Sequence, residues 1–559
     1  MREVQVVAEI HGGHIVARYL KEVEGIDTVF SLAGGHIMPV LDGCLEYGVK
    51  NVDVRHEQAA VMMAHAWSIY KHQPGVCLVT AGPGFTNALT GVANAYLENV
   101  PVVVLSGMVA VPDLDKGALQ DLNQVDMVKP VVKWAGRCYD IERITEYLEK
   151  AFKYAVSGRP GPVFLEIPPD VLYSSMEEDE VQYPIHESEG YPVVPDEAAI
   201  KKAVDLIENA ERPVMLGGNG VAASNCGEEL RAFVEKTGIP TMLLNNGRGA
   251  IPDDHPLSLW DGGLMGMLAA FSMADVVLSI GIRYNWVLGY GQPLANAKVI
   301  RVDIDPVEIN RNRKADVGLV GDAGAVLRLL DGGVHKADHT AWLKSLKDVF
   351  DNLTAAEKQQ RETPSDPIHP FRLMHQLRQA TGDDAIFVVD GGDTVYFAHV
   401  GLRAREMSGV IGSGLLFSCL GTGVPFGIGA ALARPDKRVI LVTGDGSFGL
   451  NAMEFDTAVR HCLPLVCVIC NDQAWGMVKH SQEIQYTGER LCGTELGVVH
   501  YERIVEALGG HGEFVEKDDE IVPAVRRALD SGKPACVNVV TDPSAVSPAT
   551  LMFAEGFKF

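Results

Sequence analysis

Short apolar runs alternate with longer segments of helical periodicity through the first 180 residues of the chain. The strand-like runs lie at 28–32, 51–54, 76–80 and 102–106. Nearly continuous apolar strands that alternate with helices are typical of a parallel sheet covered on both faces. We therefore expect the N-terminal part of the chain to form a doubly wound α/β domain.

The same alternation returns twice further along the chain. Runs at 214–217, 241–244, 276–281 and 299–304 predict a second α/β unit, and a third extends over about 371–542. Polar or charged stretches at 174–196 and 331–370 are predicted linkers, and 543–559 is a tail without a clear period. The predicted fold class is α/β, with three consecutive doubly wound parallel-sheet domains at 1–180, 195–335 and 370–545.

Two apolar runs of the third domain end in side chains that suit a metal and a phosphate. The first is followed by Gly444-Asp445-Gly446-Ser447 and the second by Asn471-Asp472. Glycines let a backbone approach a phosphate closely, and aspartate is a hard oxygen ligand for a divalent ion. A resemblance to a capping box at Asn451 predicts a helix from there to about His461. A Gly-Asp-Gly loop alone is more often an ordinary turn.

Composition narrows the classes of function. The chain has 559 residues, 47% of them hydrophobic, and a formal net charge of −25. That charge argues against nucleic acid or an anionic membrane as a partner, because both require basic patches. No apolar run reaches the ~20 residues of a membrane span, and the N-terminus lacks a secretory pattern, so we expect a cytoplasmic protein. The ten cysteines are scattered, which favours small core residues in a reducing compartment over a zinc site.

The segment from Gly444 to Gly476 resembles the cofactor signature of thiamine diphosphate (ThDP) enzymes, with Asp445 and Asp472 27 residues apart. The resemblance implies Mg²⁺ ligands at Asp445, Asp472 and the backbone carbonyl of Ala474. The family usually has a second asparagine where this chain has Asp472, which adds a negative charge beside the diphosphate. The remaining cofactor contacts implied by the signature are Gly444, Gly446, Ser447, Trp475 and Gly476.

Three α/β units with the diphosphate loop in the last resemble the acetolactate synthase, benzaldehyde lyase and 2-hydroxyacyl-CoA lyase branch of these enzymes. The resemblance implies a pyrimidine-binding domain first, a central domain, and a diphosphate-binding domain last. In Arg55-His56-Glu57, it implies that Glu57 hydrogen-bonds the aminopyrimidine ring and shares a proton with it. Without the resemblance, Glu57 would be an ordinary acid in a first helical turn.

Other residues of the cofactor site follow from the same resemblance. Leu420 matches the large apolar residue that bends the cofactor, although it would equally suit plain core packing. Gly392 and Thr394 match the loop that faces the diphosphate, where Asp393 would repel phosphate.

The substrate side is closest in its motifs to benzaldehyde lyase. His36, in Gly34-Gly35-His36, matches a histidine that faces the reacting hydroxyl, and it titrates in the range needed to move protons near neutral pH. Gln120 matches a glutamine near the reactive end of the cofactor, and its alternative is a solvated loop residue. Ala33, Gly35, Leu416 and Met477 are candidate pocket walls, although leucine and methionine are more often simple core residues.

The central domain gives divided signals about a nucleotide. The segment 281–288 resembles the 2-hydroxyacyl-CoA lyase and oxalyl-CoA decarboxylase group more than the flavin-binding segment of acetolactate synthases, so FAD is not expected. The tail 547–559 has one lysine and no arginine, whereas CoA-using relatives end in a basic segment. The segment 281–288 thus supports binding of CoA or ADP, whereas the tail 547–559 argues against it.

These features predict a ThDP- and Mg²⁺-dependent carbon–carbon lyase or carboligase that acts on 2-hydroxyketones or aldehydes through a C2 acyl-anion intermediate. Acetolactate synthase-like condensation of 2-oxoacids and 2-hydroxyacyl-CoA cleavage are the alternatives within the class. A non-catalytic ThDP-binding subunit is the alternative from another class, and the presence of Glu57 counts against it. The resemblance also implies a homodimer at least, with a homotetramer expected.

Overall fold

The computed structural model describes residues 8–184, 192–382, 384–414, 416–486 and 490–556. The chain divides into two compact units, residues 1–190 with 428–433, and residues 191–427 with 434–559. The first unit contains one six-stranded parallel sheet, and the second contains a five-stranded and a six-stranded parallel sheet. The predicted fold class, three parallel-sheet α/β domains, is confirmed.

In the first unit the sheet order is β3-β2-β4-β5-β7-β6, and β1 pairs separately with β8. Its strands are β1 (Glu9–His11), β2 (Thr28–Ser31), β3 (Lys50–Asp53), β4 (Gly75–Val79), β5 (Val102–Gly107), β6 (Trp134–Arg137), β7 (Val163–Ile167) and β8 (Ser175–Glu177). Its helices are α1 (Gly12–Arg18), α2 (Met38–Glu46), α3 (Glu57–Lys71), α4 (Pro83–Glu98), α5 (Gln124–Val128), α6 (Ile144–Val156) and α7 (Pro169–Tyr173). Every residue of β2, β4, β5 and β7 is buried, and the apolar runs predicted the first three of these strands.

The central sheet of the second unit has the order β10-β9-β11-β12-β13. Its strands are β9 (Pro213–Gly217), β10 (Thr241–Leu243), β11 (Val276–Ile280), β12 (Lys298–Asp303) and β13 (Val317–Val320). Its helices are α8 (Glu197–Glu208), α9 (Asn219–Ala223), α10 (Gly227–Thr237), α11 (Gly263–Met273) and α12 (Ala323–Gly333), followed by α13 (Thr340–Leu353) and α14 (Ala355–Glu362).

The last sheet has the order β15-β14-β16-β17-β19-β18. Its strands are β14 (Ala385–Asp390), β15 (Val410–Gly412), β16 (Arg438–Gly444), β17 (Val466–Asn471), β18 (His511–Val515) and β19 (Ala535–Val540). Its helices are α15 (Pro370–Thr381), α16 (Asp393–Gly401), α17 (Gly423–Ala433), α18 (Asp445–Asn451), α19 (Glu454–Arg460), α20 (Gly476–Tyr486), α21 (Tyr501–Ala507), α22 (Ile521–Asp530) and α23 (Pro548–Gly556).

Both predicted linkers contain more structure than expected. In 174–196, strand β8 pairs antiparallel with β1, and residues 185–191 lie outside the described residues. In 331–370, helix α13 buries Trp342, Leu346 and Phe350 in the core of the central domain. In the sequence of 331–370, the charged residues around α13 obscure this one apolar stripe.

The helix after the Asp445 loop begins earlier than predicted. Helix α18 starts at Asp445 itself, and the backbone turns at 452–453 before α19. Asn451 ends α18 and donates its amide to the Gly421 carbonyl at 2.6 Å. The prediction of one helix from Asn451 to His461 is therefore wrong, because that asparagine forms a long-range hydrogen bond and does not cap a helix start.

The segment predicted as a tail forms helix α23, and residues 557–559 lie outside the described residues. Among the helices that the structure describes, none combines the length and apolar character needed to cross a membrane.

Candidate functional site

Glu57 is the first residue of α3, at the carboxyl end of the first sheet, and it is 6% exposed. His56 precedes it as the N-cap residue, with a ring nitrogen that accepts from the Gln58 backbone N–H. The Oε2 atom of Glu57 accepts a hydrogen bond from the Asn87 amide at 3.0 Å. Its Oε1 atom lies 3.4 Å from the place where a Cβ would stand on Gly84. The carboxylate is thus buried and held at a fixed position.

His36 lies at the same edge of this sheet, after β2, in a short 3₁₀ helix (Gly35–Ile37). Its Nδ1 is 3.0 Å from Oγ1 of Thr80, the residue that follows β4. The side chain lies directly against Gly107 at the end of β5, because a Cβ there would stand 2.3 Å from the Cβ of His36. Partial burial lowers the pKa of His36, which keeps the ring neutral at pH 7.

Thr80 joins His36 to the surroundings of Glu57. A Cβ on Gly84 would lie 2.7 Å from the Thr80 methyl group as well as 3.4 Å from Glu57. The ends of β2 and β4 and the start of α3 therefore bring these two predicted residues to one edge of the sheet. In doubly wound sheets, ligands bind at this edge, outside the carboxyl ends of the strands.

Gln120 is at this edge too, with a left-handed backbone of φ +66°. It packs against Gly82, where a Cβ would lie 2.8 Å from the Gln120 Cβ, so only glycine fits at position 82. The candidate wall residues Ala33 and Gly35 are exposed beside His36.

Gln124 supports this loop, although no local motif marks it. Its Oε1 accepts from the Gly82 backbone N–H at 2.8 Å, and its Nε2 donates to the Gly107 carbonyl at 2.9 Å and to Glu166 at 2.7 Å. This buried amide therefore fixes the two glycines against which Gln120 and His36 pack. A glutamine without a local motif cannot be recognised as such a support from sequence.

In the second unit, Asp445 begins α18 after β16, and Asp472 follows β17. Within the described part of the chain, Oδ2 of Asp445 is buried without a hydrogen-bond partner. Burial, followed by repulsion from Asp472, raises the pKa of Asp445, and burial also raises the pKa of Asp472. Oδ1 of Asp472 accepts from the Ala474 N–H at 3.2 Å. One buried and one half-buried carboxylate that repel each other are a site for a cation.

Trp475 and Met477 close the space around these acids. A Cβ on Gly446 would lie 2.6 Å from the Trp475 ring, and one on Gly476 would lie 2.1 Å from Asp472. Met477 packs against Gly392 in the same way, at 2.8 Å. The sequence-predicted residues of the two loops are thus in contact.

Ser447 and Thr394 are buried beside the loops, at 3% and 9% exposure. The Ser447 side chain is a hydrogen-bond partner of Asp390, which also accepts from the Gly391 and Gly423 N–H groups at 2.7 and 2.9 Å. Burial raises the pKa of Asp390 to about 6. Leu416 and Leu420 are half-buried in the segment before α17.

Comparison with known protein families shows the function of the residues around Glu57 in the first unit and around Asp445 in the second. The thiamine pyrophosphate enzyme models match this chain three times, as the N-terminal TPP binding domain at 10–127, the central domain at 200–330 and the C-terminal TPP binding domain at 390–539. The chain belongs to the thiamine pyrophosphate enzyme family.

Its relatives cover nearly the whole chain. It is 36% identical to a probable acetolactate synthase of Mycobacterium bovis, over 96% of this chain and 97% of that protein. It is 31% identical to 2-hydroxyacyl-CoA lyase 2 of Bos taurus, over 97% and 91%. It is also 31% identical to the acetolactate synthase isozyme 2 large subunit of Escherichia coli, over 95% and 96%. The chain is thus a ThDP-dependent enzyme of the lyase and carboligase class.

The residues of the second unit fit the diphosphate and a divalent ion. The unpartnered Oδ2 of Asp445 and the carboxylate of Asp472 supply the hard oxygens that Mg²⁺ requires. Gly444, the N-cap residue of α18, has no side chain to keep a phosphate from the backbone there, whereas the Gly446 N–H donates to Oδ1 of Asp445 at 2.9 Å.

Asp393, which precedes Thr394 in the predicted diphosphate loop, is held by side chains of two other helices. Its Oδ2 lies 2.9 Å from Nδ1 of His480, and its Oδ1 accepts from the Thr550 hydroxyl and the Ser547 N–H. The carboxylate therefore connects the start of α16 to α20 and α23. The sequence missed His480, because its partner is 87 residues away.

Proposed function

We propose that this ThDP enzyme makes or breaks the carbon–carbon bond next to a carbonyl in 2-hydroxyketones or aldehydes, as benzaldehyde lyase does. The observation that carries the proposal is the position of His36. A neutral imidazole lies at the sheet edge that holds Glu57, and the Thr80 hydroxyl fixes its Nδ1. A substrate hydroxyl or alkoxide is the group with which such an imidazole exchanges a proton.

Glu57 serves as the acid that shares a proton with the aminopyrimidine ring. The Asn87 amide holds its Oε2, which leaves Oε1 to exchange the proton. ThDP supplies carbanion stabilisation at the carbonyl carbon when it is bound. Asp445, Asp472 and the Ala474 carbonyl would hold Mg²⁺ against the diphosphate.

His36 transfers the proton between the reacting oxygen of the substrate and solvent. Its lowered pKa keeps the ring unprotonated and able to accept a proton near neutral pH, and its partial exposure leaves a path to water. Gln120, held against Gly82, would position the substrate at the reactive end of the cofactor.

Two other substrate classes are supported by the names of the relatives. An acetolactate synthase-like enzyme would join two 2-oxoacids, and a 2-hydroxyacyl-CoA lyase-like enzyme would cleave a 2-hydroxyacyl thioester. All three reactions need the same cofactor and the same Glu57 chemistry. The pocket residues Leu416, Met477, Ala33 and Gly35 would then select among them.

The test is an assay of the purified protein with ThDP and Mg²⁺ against benzoin, simple aldehydes, pyruvate and a 2-hydroxyacyl-CoA, with products identified by mass. We expect benzoin cleavage or aldehyde coupling that requires ThDP. Acetolactate from pyruvate, or a formyl-CoA from the thioester, would replace the proposed substrate class and keep the chemistry. Failure to convert any of them despite ThDP binding by calorimetry would favour a non-catalytic ThDP-binding subunit.

We also propose that the enzyme acts as a homodimer or a homotetramer. The support for this proposal is the resemblance to the branch of ThDP enzymes described above, which implies a homodimer at least. Analytical ultracentrifugation with ThDP and Mg²⁺ tests this, and a fully active monomer would contradict it.

A further inference from the structure

A group of two histidines and one aspartate lies in the first unit, outside the residues assigned to the ThDP site. The ligand atoms of His11, His14 and Asp42 all lie within 4.8 Å of one another. We propose that these three side chains bind one zinc ion that joins β1 and α1 to α2. The proposal does not depend on the substrate of the enzyme.

The distances suit a tetrahedral ion. Oδ2 of Asp42 lies 2.9 Å from Nε2 of His14 and 3.8 Å from Nε2 of His11. Bonds of ~2.0–2.2 Å to imidazole and carboxylate separate tetrahedral ligand atoms by roughly 3.3 Å. The two measured separations lie on either side of that value, so small side-chain rotations suffice. A water molecule would take the fourth position.

The donor set favours zinc over the magnesium of the diphosphate site. Two imidazole nitrogens and one carboxylate oxygen are ligands for Zn²⁺ and similar transition metals, whereas Mg²⁺ and Ca²⁺ prefer oxygens alone. His11 and His14 are partly buried, with side chains 29% and 20% exposed, and Asp42 is open to solvent at 68%. Metal can therefore enter from the surface.

Close packing of two helices holds the ligands together. A Cβ on Gly13 would lie 2.3 Å from the Pro39 backbone, and one on Gly43 would lie 2.9 Å from the Gly13 carbonyl. Only glycine at these positions lets α1 and α2 approach so closely, and His14 and Asp42 are their sequence neighbours. Ligands on closely packed helices are preorganised, which favours metal binding.

The ring of His11 has further partners that orient it. The Leu172 backbone carbonyl is a hydrogen-bond partner of this ring, which is the kind of support that metal-binding histidines use. Its Nδ1 also accepts a 3.4 Å hydrogen bond from the His14 N–H at the start of α1. Zinc at Nε2 would place the ring proton on Nδ1 and replace that long hydrogen bond.

The experiment is a zinc titration by calorimetry of the full chain saturated with ThDP and Mg²⁺, which occupy the catalytic site. The variants are His14→Gln, His11→Asn and Asp42→Asn. Asparagine at position 11 retains a side chain that can cap α1, and Asp42 is at the surface. His335→Gln is the matched control, because exposed His335 pairs with Glu208 at 3.0 Å and belongs to no group of three possible ligands among the residues that the structure describes.

We expect one zinc per wild-type chain and a rise in melting temperature with zinc. His14→Gln should weaken binding more than ~100-fold, beyond the loss caused by an outer-shell partner. The control should bind as wild type does. Equal zinc uptake by the wild type, His14→Gln and Asp42→Asn would overturn the proposal and assign the metal to exposed cysteines or to the catalytic site. Asp42→Asn keeps the test valid if a histidine variant fails to fold, since Asp42 is at the surface.

Discussion

Glu57 is buried and accepts a hydrogen bond from Asn87. Its replacement by glutamine removes the negative charge but keeps the size and shape of the side chain. Glu57→Gln introduces an amide whose oxygen can still accept from Asn87, but this side chain cannot share a proton with the cofactor. We expect ThDP binding by calorimetry to persist and turnover to fall by ~10²–10⁴-fold, the contribution of a positioned acid.

The matched control is Glu197→Gln, because Glu197 is also the first residue of a helix but is exposed in α8. If Glu57 matters only through the helix dipole, both variants would behave alike. Equal turnover in Glu57→Gln and the wild type would refute the assigned role.

His36 gives a prediction about pH. Burial places its pKa below 6.5, so the neutral base persists at pH 7 and is lost only as the pH falls below that value. We expect kcat to decline on the acid side through a limb that begins below pH 6.5, and His36→Gln to lower kcat and remove that limb. The control is His72→Asn, which replaces a histidine with a similarly lowered pKa at the end of α3. An unchanged acid limb in His36→Gln would contradict the assignment.

At the scale of residues, the sequence predicted those that lie in local motifs and missed those that act through distant partners. Glu57, His36 and Asp445 follow apolar runs within a few residues, and the ends of such runs predict the ends of strands. Gln124 and His480 were not predictable, because their partners are 42 and 87 residues away.

The loops after β16 and β17 carry like charges, and this has a consequence for stability. Asp472→Asn removes a half-buried charge that repels Asp445 and Asp393. We expect the metal-free protein to gain stability on the order of 1 kcal/mol or more. The Mg²⁺ concentration needed for half-maximal activity should rise, because the ion loses a charged ligand.

Thermal unfolding in EDTA and an activity titration with Mg²⁺ measure the two effects. Asp542→Asn is the control, because that carboxylate caps a nearby turn by accepting from Ser544. A metal-free Asp472→Asn protein less stable than the wild type would show that the acids do not repel each other.

The C-terminal helix α23 is anchored through one hydroxyl. Thr550 is fully buried and donates to Asp393, an acceptor that His480 also holds. Thr550→Val should cost ~1.5–3 kcal/mol, the value of a hydrogen bond to a charged group, and should raise hydrogen exchange in α23. Thr550→Ser retains the hydroxyl and should resemble the wild type, and faster exchange in both variants would point to methyl packing instead.

At the scale of elements, the apolar runs predicted the buried strands, whereas helix boundaries depended on tertiary contacts. Helix α18 begins at Asp445, and α23 follows from Asp393 contacts that its own sequence does not contain. Antiparallel pairing of β1 with β8 joins segments some 165 residues apart, which no local pattern reveals.

Within the second unit, a fully buried arginine links its two domains. Arg248 donates to Asp253 at 2.7 Å and to the Leu402 carbonyl at 2.7 Å, and its guanidinium lies 3.5 Å from the centre of the Trp260 ring. Arg248→Met leaves Asp253 as a buried unpaired charge, so we expect a loss of ~3–5 kcal/mol.

Urea unfolding measures this loss. The control is Arg405→Met, which breaks an exposed pair with Asp254 and should cost at most ~1 kcal/mol. Equal losses in the two variants would mean that the buried pair contributes no more than a surface one.

At the scale of the whole molecule, alternating runs predicted three α/β domains, and the predicted boundaries between them remain predictions. The packing of α13 and the Arg248 contacts could not be predicted, because they depend on which surfaces meet after the sheets have formed. Substrate choice is similarly distributed over several loops, and one methylene changes selectivity by only about 1–3 kcal/mol.

The most direct test of the account needs no knowledge of the substrate. It is the rate of hydrogen–deuterium exchange at C2 of enzyme-bound ThDP, measured by NMR after acid quench, in the wild type and in Glu57→Gln. We predict exchange at least ~10²-fold faster in the wild type, because Glu57 shares the proton that activates this position. Equal rates in the two proteins, with ThDP bound in both, would contradict the central role of Glu57.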